Sequence, residues 1–284
     1  MEKIGLVLEG GALRGLFSAG VLDFFLEKEI DFPYVVGVSA GSCNALDFVS
    51  KQIERTKKAM IQNDYAWYYG LKEFKSSNKL INYNKVFHEY PYKQYPFDFD
   101  TYFASKTVND IVVTNCISGK AEYLRETSNP VRLCSMCEAS SSMPILTPMI
   151  TIDGIPYLDG GITDSIPFRH AFDEGCDRCV VVLTRKQGTT PSSLNPAEKK
   201  AIEKLYKEYP NLILAMGKRQ QMYKEQIRQL EQLEKEGKVF IIRPKVANIK
   251  RLEKDPIKLE CLYEHGYMQA RSRYNDLLQF LEKE

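Results

Sequence analysis

Ser39 lies between two glycines in the sequence Gly-Val-Ser-Ala-Gly, residues 37–41, directly after a short apolar run. A G-x-S-x-G sequence at a strand-to-helix corner holds its serine in a strained conformation that exposes Oγ at the sheet edge. The helix that follows directs its N-terminus at the same place and favours developing negative charge. The pattern therefore predicts a nucleophilic serine. The alternative is a serine that only caps the N-terminus of a helix.

A second glycine-rich turn, Glu-Gly-Gly-Ala-Leu-Arg-Gly at residues 9–15, follows the first predicted strand. As a G-x-G-x-x-G dinucleotide site it fits badly, because Ala12 occupies the middle glycine position and the next strand ends in Ser39 instead of an acidic residue. The alternative is an oxyanion hole formed by the backbone N–H groups of Gly10, Gly11 and Ala12. Both turns end neighbouring parallel strands, so we expect them to open on one edge of the sheet.

Ser39 needs a proton acceptor, and the chain has three histidines, His88, His170 and His265. His265 fits the chain order Ser, acid, His of α/β-hydrolases. However, one strand precedes Ser39 where those enzymes have several, and His265 falls in a predicted helix. Asp159, followed by two glycines, is the other candidate, because a carboxylate shielded from water can take the proton of a serine hydroxyl. The alternative is a structural Asp-Gly turn, which is our interpretation of Asp153-Gly154.

The predicted elements that position these residues alternate between strand and helix. A strand near residues 4–8, a helix from Leu13, a strand at 34–38 and a helix at about 42–62 predict a right-handed βαβ unit in a parallel sheet. Further strands are predicted within 110–124 as a hairpin, near 149–152, at 157–158, and within 178–185 and 238–244, with helices at 130–140, 197–236 and 256–282. No linker or repeat is evident, so we expect one α/β domain over residues 1–284.

Residues 65–103 are rich in Tyr and Phe and interrupted by Pro91 and Pro96, which predicts an irregular insertion of short helices and loops. The insertion separates Ser39 from Asp159 in sequence. It either caps the site and grips an acyl chain or forms an ordinary satellite core, because aromatic residues serve both uses.

Composition and cysteine spacing argue against several other classes of protein. The net charge of +2 does not suggest a protein that coats nucleic acid, and no apolar run approaches the roughly 20 residues that span a bilayer. No signal peptide is recognisable, so we expect a soluble, cytoplasmic protein. The pairs Cys134/Cys137 and Cys176/Cys179 are too far apart for a ribbon-type zinc site, so we expect free thiols and no metal. Lys218, Arg219, Lys224 and Arg228 share a predicted helix whose charges can simply face solvent.

Three sequences in this order and spacing resemble the signatures of the patatin-like phospholipases. They are EGGALRG at 9–15, GVSAG at 37–41 and LDGG at 158–161, joined by ASSSMP at 139–144 and DGGITDSIP at 159–167, which are typical of the bacterial group. No single motif is specific, but the combination is. The resemblance runs from about residue 4 to residue 183, and residues from about 196 to 284 form a C-terminal helical and strand extension beyond it.

The resemblance implies a three-layer α/β/α fold with a mainly parallel central sheet, and a Ser-Asp dyad that works without histidine. Carried over by position, Ser39 is the nucleophile, Asp159 is the base, Gly10, Gly11 and Ala12 form the oxyanion loop, and Arg14 occupies a basic position that contacts substrate or an anion. Many family members have a third glycine at the position of Ala12, and a backbone N–H survives that change.

The implied activity is that of a serine lipid acyl hydrolase of phospholipase, lysophospholipase or carboxylesterase type. It acts on lipid or acyl-ester substrates with transient membrane-surface contact, without cofactor or nucleic acid. Two other classes stay open: a non-catalytic lipid-binding protein on the same fold, marked by acyl binding without a covalent Ser39 adduct, and a nucleotide-binding protein that uses residues 9–15. The sequence leaves the head group, the acyl length and the oligomeric state open.

Overall fold

The computed structural model describes residues 2–62, 82–246, 249–250 and 253–282. An eight-stranded sheet runs in the order β5-β6-β3-β2-β1-β7-β8, and β4 pairs with β3. The strands are β1 (Ile4–Leu8), β2 (Tyr34–Val38), β3 (Val108–Asn115), β4 (Lys120–Leu124), β5 (Ile150–Ile152), β6 (Ile155–Asp159), β7 (Arg178–Val182) and β8 (Val239–Ile242). Strands β3, β2, β1, β7 and β8 are mutually parallel, which confirms the predicted mainly parallel sheet.

Helices cover both faces of this sheet. They are α1 (Gly15–Glu27), α2 (Ala40–Val49), α3 (Arg55–Met60), α4 (Phe99–Ala104), α5 (Pro130–Ser141), α6 (Phe168–Asp173), α7 (Pro196–Leu205), α8 (Pro210–Lys235), α9 (Pro256–Ser272) and α10 (Tyr274–Glu282). Successive strand residues point to opposite faces, so Leu6 and Leu8 pack with α1, α2, α5 and α9, whereas Val7 packs with α6 and α8. The predicted three-layer α/β/α architecture is thereby confirmed.

Three predicted helices are interrupted. The helix expected over 42–62 divides into α2 and α3, because Lys51 and Glu54 adopt left-handed backbone angles with φ of 60° at each. The helix expected over 197–236 divides at Pro210, which lacks an N–H and begins α8. The helix expected over 256–282 is interrupted at Arg273, for which the structure offers no explanation.

The register of β3 brings two strand ends together. Val112 pairs with Val38 at the end of β2, and the next residue, Val113, pairs with Asp159 at the end of β6. Strand β4 pairs with β3 across both positions, so β2 and β6 share the opposite edge of β3. Because β2 is parallel and β6 antiparallel to β3, their carboxyl ends meet head to head.

The aromatic insertion lies partly outside the described residues, since 63–81, including Trp67, are not described. The described part contains short helical turns at Lys85–Glu89 and Tyr90–Tyr92, followed by α4. Phe87, Tyr90 and Phe97 are buried in the main hydrophobic cluster. Among the described helices, none is both long and apolar enough to cross a bilayer.

Candidate active site

Ser39 occupies the corner between β2 and α2. Its φ of 54° and ψ of −124° are strained for a non-glycine residue, and 7 % of its surface is exposed. The flanking glycines are required by close contacts: a Cβ on Gly41 would lie 2.4 Å from the carbonyl oxygen of Leu8, and one on Gly37 would lie 2.5 Å from that of Gly41. Helix α2 begins at Ala40, so its N-terminus lies at the same corner.

Asp159 is the last residue of β6, and hydrogen bonds hold both its backbone and its side chain. Its N–H donates to the Ser142 carbonyl at 2.8 Å, and its own carbonyl accepts from Thr114 Oγ1 at 2.8 Å. Its Oδ1 accepts from the Gly161 N–H at 2.7 Å. The side chain is therefore oriented by the backbone of its own turn, at the strand end that meets β2.

The C-terminus of α5 bridges the two corners. Ser140 Oγ accepts from the Ser39 N–H at 2.8 Å and donates to the Val112 carbonyl at 2.6 Å. The neighbouring Ser142 carbonyl accepts from the Asp159 N–H. The serines of residues 139–144 thus bind the backbone of both predicted dyad residues.

We expect Ser140→Ala to lower both stability and activity. It leaves the buried N–H of Ser39 unpaired, which costs about 1–3 kcal/mol, and it loosens the strained corner. Thermal melts are expected to shift down by roughly 2–10 °C, and ester hydrolysis to fall about tenfold. Ser135→Ala on the same helix is the control, because the Ser135 hydroxyl donates to the Val131 carbonyl of its own helix. Unchanged activity in Ser140→Ala would contradict this role.

The loop of residues 10–12 lies beside Ser39. Among the described residues, no acceptor is found for the N–H groups of Gly10, Gly11 or Ala12. The loop is fixed from β7 and α8: Thr184 Oγ1 donates to the Gly10 carbonyl at 2.8 Å, and Tyr223 OH donates to Glu9 Oε1 at 2.9 Å. Ala12 has a φ of 51°, a left-handed angle that costs an alanine roughly 1–2 kcal/mol.

Two pockets meet at Ser39, and Ala12 and Met143 also line both. One, of about 180 Å³, is lined mainly by apolar side chains and is called the apolar pocket. It includes Leu13, Leu16, Met60, Val86, Phe87 and Phe97. The other, of about 300 Å³, is called the arginine pocket and includes Glu9, Arg14, Asp159, Arg185, Arg219 and Tyr223.

The structure brings all six sequence-predicted site residues to one place. Gly10, Gly11, Ala12, Arg14, Ser39 and Asp159 all line the arginine pocket. Arg219, from a helix whose charges can simply face solvent by sequence, joins them in this lining. Arg219 Nε donates to the Gly161 carbonyl at 2.7 Å. Burial lowers the pKa of Arg219, the nearby negative charge of Asp159 opposes that change, and Arg185 adds to it.

The three histidines lie elsewhere. His88 Nε2 is 2.8 Å from Glu138, His170 Nε2 is 3.1 Å from Asp110, and His265 Nε2 accepts from the Lys245 N–H at 3.1 Å. Burial and the neighbouring Lys245 also lower the pKa of His265. No histidine is among the residues that line either pocket in the described part of the chain.

The candidate metal ligands lie in separate parts of the described structure. Cys137 packs on one face of the sheet and Cys176 and Cys179 on the other, so the two cysteine pairs do not form one site. Asp110, His170 and Glu174 approach within 4.8 Å of one another, but the Arg125 guanidinium bonds Asp110 at 2.8 Å and Glu174 at 2.9 Å.

The Asp110 carboxylate belongs to that ion-pair network. Burial raises its pKa, but hydrogen bonds from His170, Arg125 and Tyr34 outweigh burial and lower the pKa to about 2. The carboxylate stays charged and bound to Arg125, so we interpret the cluster as structural.

Comparisons with known proteins assign the chain to a family. Residues 6–172 match the family described as patatin-like phospholipase, which covers more than half of the chain. The chain therefore belongs to the patatin-like phospholipase family, a family of lipid hydrolases. Residues 209–282 match a second family, described only as a domain of unknown function (DUF6363).

Two similar proteins are informative. "Uncharacterized protein YjjU" of Escherichia coli (strain K12) is 29 % identical over 196 residues, which cover 64 % of this chain and 52 % of YjjU, so the alignment spans about half of that relative. The structure of VipD from Legionella pneumophila superposes with a TM-score of 0.53 at 14 % identity, covering 97 % of this chain and 67 % of VipD. This second likeness concerns the fold alone.

Proposed function

We propose that the chain is a serine acyl hydrolase that cleaves fatty-acyl esters through an acyl-Ser39 intermediate, with Asp159 as the base. The observation that carries the proposal is the head-to-head meeting of β2 and β6. It brings Ser39 and Asp159 into one pocket with the N–H groups of residues 10–12, for which the described residues provide no acceptor. Family membership supports the lipid-ester substrate class.

The proposed mechanism uses these groups in sequence. Asp159 accepts the proton of Ser39 as Oγ attacks the ester carbonyl carbon. The N–H groups of Gly10, Gly11 and Ala12 stabilise the tetrahedral oxyanion, each such donor contributing about 3–4 kcal/mol in related sites. The C–O bond to the leaving alcohol then breaks, and the alcohol takes the proton from Asp159. Water, activated by Asp159, hydrolyses the acyl-enzyme and regenerates Ser39.

The apolar pocket is the proposed acyl-chain site, because it begins at Ser39 and is lined by aliphatic and aromatic side chains. Each methylene group of an acyl chain that stays in water, instead of being buried in the pocket, loses about 0.8 kcal/mol of binding free energy. We therefore expect Val86→Trp, which fills part of this pocket, to lower the octanoate-to-butyrate ratio of kcat/KM about tenfold, measured with p-nitrophenyl esters. Val131→Trp, at a position that is 61 % exposed, is the control. An unchanged ratio in Val86→Trp would place the acyl chain elsewhere.

Release of fatty acid from a panel of phospholipid, lysophospholipid and neutral acyl esters tests the proposal. We expect the purified protein to release one free fatty acid for each ester bond that it cleaves. Binding of fatty acid without turnover of any ester would instead support the non-catalytic lipid-binding alternative.

We also propose that residues 1–284 work as one domain. Strand β8 extends the sheet beside β7, and α8 contributes Arg219 and Tyr223 to the arginine pocket. The C-terminal segment thus supports the same site as the family signatures.

A further inference from the structure

Helix α8 directs one arginine into the site. Its buried residues Met216, Tyr223, Gln226 and Leu230 follow helical spacing, and Arg219 lies on the same face. Two polar anchors fix this face: Tyr223 OH bonds Glu9, and Gln226 Nε2 donates to Asp164 Oδ1 at 2.5 Å and to the Ile166 carbonyl at 3.0 Å. The position of Arg219 is therefore set by its helix.

Two arginines of the arginine pocket, Arg185 and Arg219, carry more hydrogen-bond donors than the described residues accept. A guanidinium carries five N–H donors. For Arg219, the Gly161 carbonyl is the only hydrogen-bond acceptor in the described part of the chain. Arg185 has 10 % of its side chain exposed and makes only an ion pair with Glu9 at 3.6 Å and a contact over the Tyr223 ring among the described residues.

Like charges are held together in this pocket. Arg185 is near enough to Arg219 to contribute to the lowering of its pKa, after burial. Arg14, which is buried and donates to the Gly11 carbonyl at 3.3 Å, adds a third guanidinium to the lining. Neighbouring cations in a buried pocket repel each other, and a bound anion would offset that repulsion.

The lining also contains three acidic side chains, Glu9, Asp159 and Glu198, but each already accepts a hydrogen bond from the chain. Glu9 already accepts hydrogen bonds from the Thr184 N–H and Tyr223 OH, and Asp159 is the proposed base. Glu198 is exposed, and its side chain caps α7 by accepting from the Asn195 N–H. The donors of Arg185 and Arg219 for which the described residues provide no acceptor thus line a pocket that meets the apolar pocket at Ser39.

We propose that Arg185 and Arg219, assisted by Arg14, bind a phosphate group carried by the alcohol part of the ester. This inference rests on the proposed function and narrows its substrate class to fatty-acyl esters of phosphate-bearing alcohols. With the acyl chain in the apolar pocket, the leaving alcohol lies on the arginine side of Ser39. Paired guanidinium groups match phosphate oxygens in geometry and charge. The segment 209–282 then takes part in substrate selection.

Two esters that differ only in the phosphate test the inference: 1-octanoyl-glycerol 3-phosphate and 1-octanoylglycerol, both kept below their micelle concentrations. We expect the wild type to favour the phosphorylated ester at least about tenfold in kcat/KM. Arg219→Gln and, separately, Arg185→Gln are expected to lower that ratio by about 10- to 100-fold, the effect of losing a charged hydrogen bond. Arg219→Lys keeps the positive charge but lacks the forked donors of a guanidinium, and it is expected to retain part of the preference for the phosphorylated ester.

The ratio of kcat/KM for the phosphorylated ester to kcat/KM for the neutral ester separates phosphate recognition from structural effects. Loss of the Arg219 contact to Gly161 changes hydrolysis of both esters alike, and Arg185→Gln tests the pocket from a different element. Lys218→Gln, which removes an exposed charge beside Arg219, is the control and is expected to leave the ratio within about twofold. A ratio near one in the wild type, or a high ratio unchanged in both variants, overturns the inference while hydrolysis itself still supports the proposed function.

Inhibition by inorganic phosphate distinguishes two ligands of the arginine pocket, the phosphate group of an ester substrate and the free phosphate ion. We expect it to inhibit hydrolysis of octanoylglycerol competitively in the wild type and at least about fivefold more weakly in Arg219→Gln. Inhibition by phosphate together with a wild-type ester ratio near one would assign the pocket to the free ion and overturn the lipid assignment. Hydrolysis of neither ester would contradict the proposed function and this inference with it.

Discussion

Replacing Ser39 with alanine is expected to lower kcat/KM for p-nitrophenyl butyrate by about 10⁴-fold or more, the order of loss seen when a serine nucleophile is removed. Alanine removes the only group that we propose to bond covalently to the acyl carbon. The oxyanion loop and the other residues that line the two pockets persist, so the residual rate reports the oxyanion loop and substrate binding. Initial-rate measurements over a range of substrate concentrations provide the comparison.

The fold of this variant must be shown to persist. Circular dichroism and thermal melting are expected to match the wild type within a few degrees, because the substitution removes one hydroxyl and keeps the Ser140 contact to the backbone N–H. Ser128→Ala, at an exposed loop position, is the matched control and is expected to keep full activity. Substantial hydrolysis by a folded Ser39→Ala protein would exclude Ser39 as the nucleophile.

Asp159→Asn is expected to lower kcat about 10³-fold or more, because an amide has the shape of the carboxylate but cannot accept the proton of Ser39. The amide oxygen keeps the capability to accept from the Gly161 N–H, as Oδ1 does now. We therefore expect KM to change much less than kcat. Stopped-flow measurement of acylation and deacylation should show both steps slowed, since Asp159 acts as the base in each.

The control for this substitution is Asp153→Asn. Asp153 also precedes a glycine, has a φ of 51° and pairs with Arg132 at the surface, and it lines neither pocket. It is expected to keep wild-type activity. Equal activity in Asp159→Asn and Asp153→Asn would show that another group accepts the proton.

Much of the fold could be predicted from local pattern. β2 lies at the predicted residues 34–38, and α5 begins at Pro130 as expected, because apolar runs and a proline at the first helical position are strong local signals. The division of the predicted helix at 42–62 could not be predicted, since the left-handed angles of Lys51 and Glu54 occur at residues that carry no breaker signal.

The site was partly predictable for a related reason. Ser39 and Asp159 are marked by flanking glycines, which record the close backbone approach at each corner. Ser140 and Arg219 carry no such mark. Ser140 acts through a hydroxyl that reaches from α5 to the Ser39 N–H. Arg219 is 180 residues from Ser39 in sequence and enters the site through the packing of α8. Contacts of that separation depend on tertiary packing, which a helical charge pattern does not reveal.

Mass spectrometry of the protein after labelling with a fluorophosphonate tests the central claim most directly. Such reagents form a covalent bond to the Oγ of an activated serine. We predict one adduct per chain, mapped by peptide sequencing to Ser39, absent from Ser39→Ala and formed much more slowly by Asp159→Asn. An adduct at another serine, or no adduct in a protein that still releases fatty acid, would contradict the assignment of Ser39 as the nucleophile.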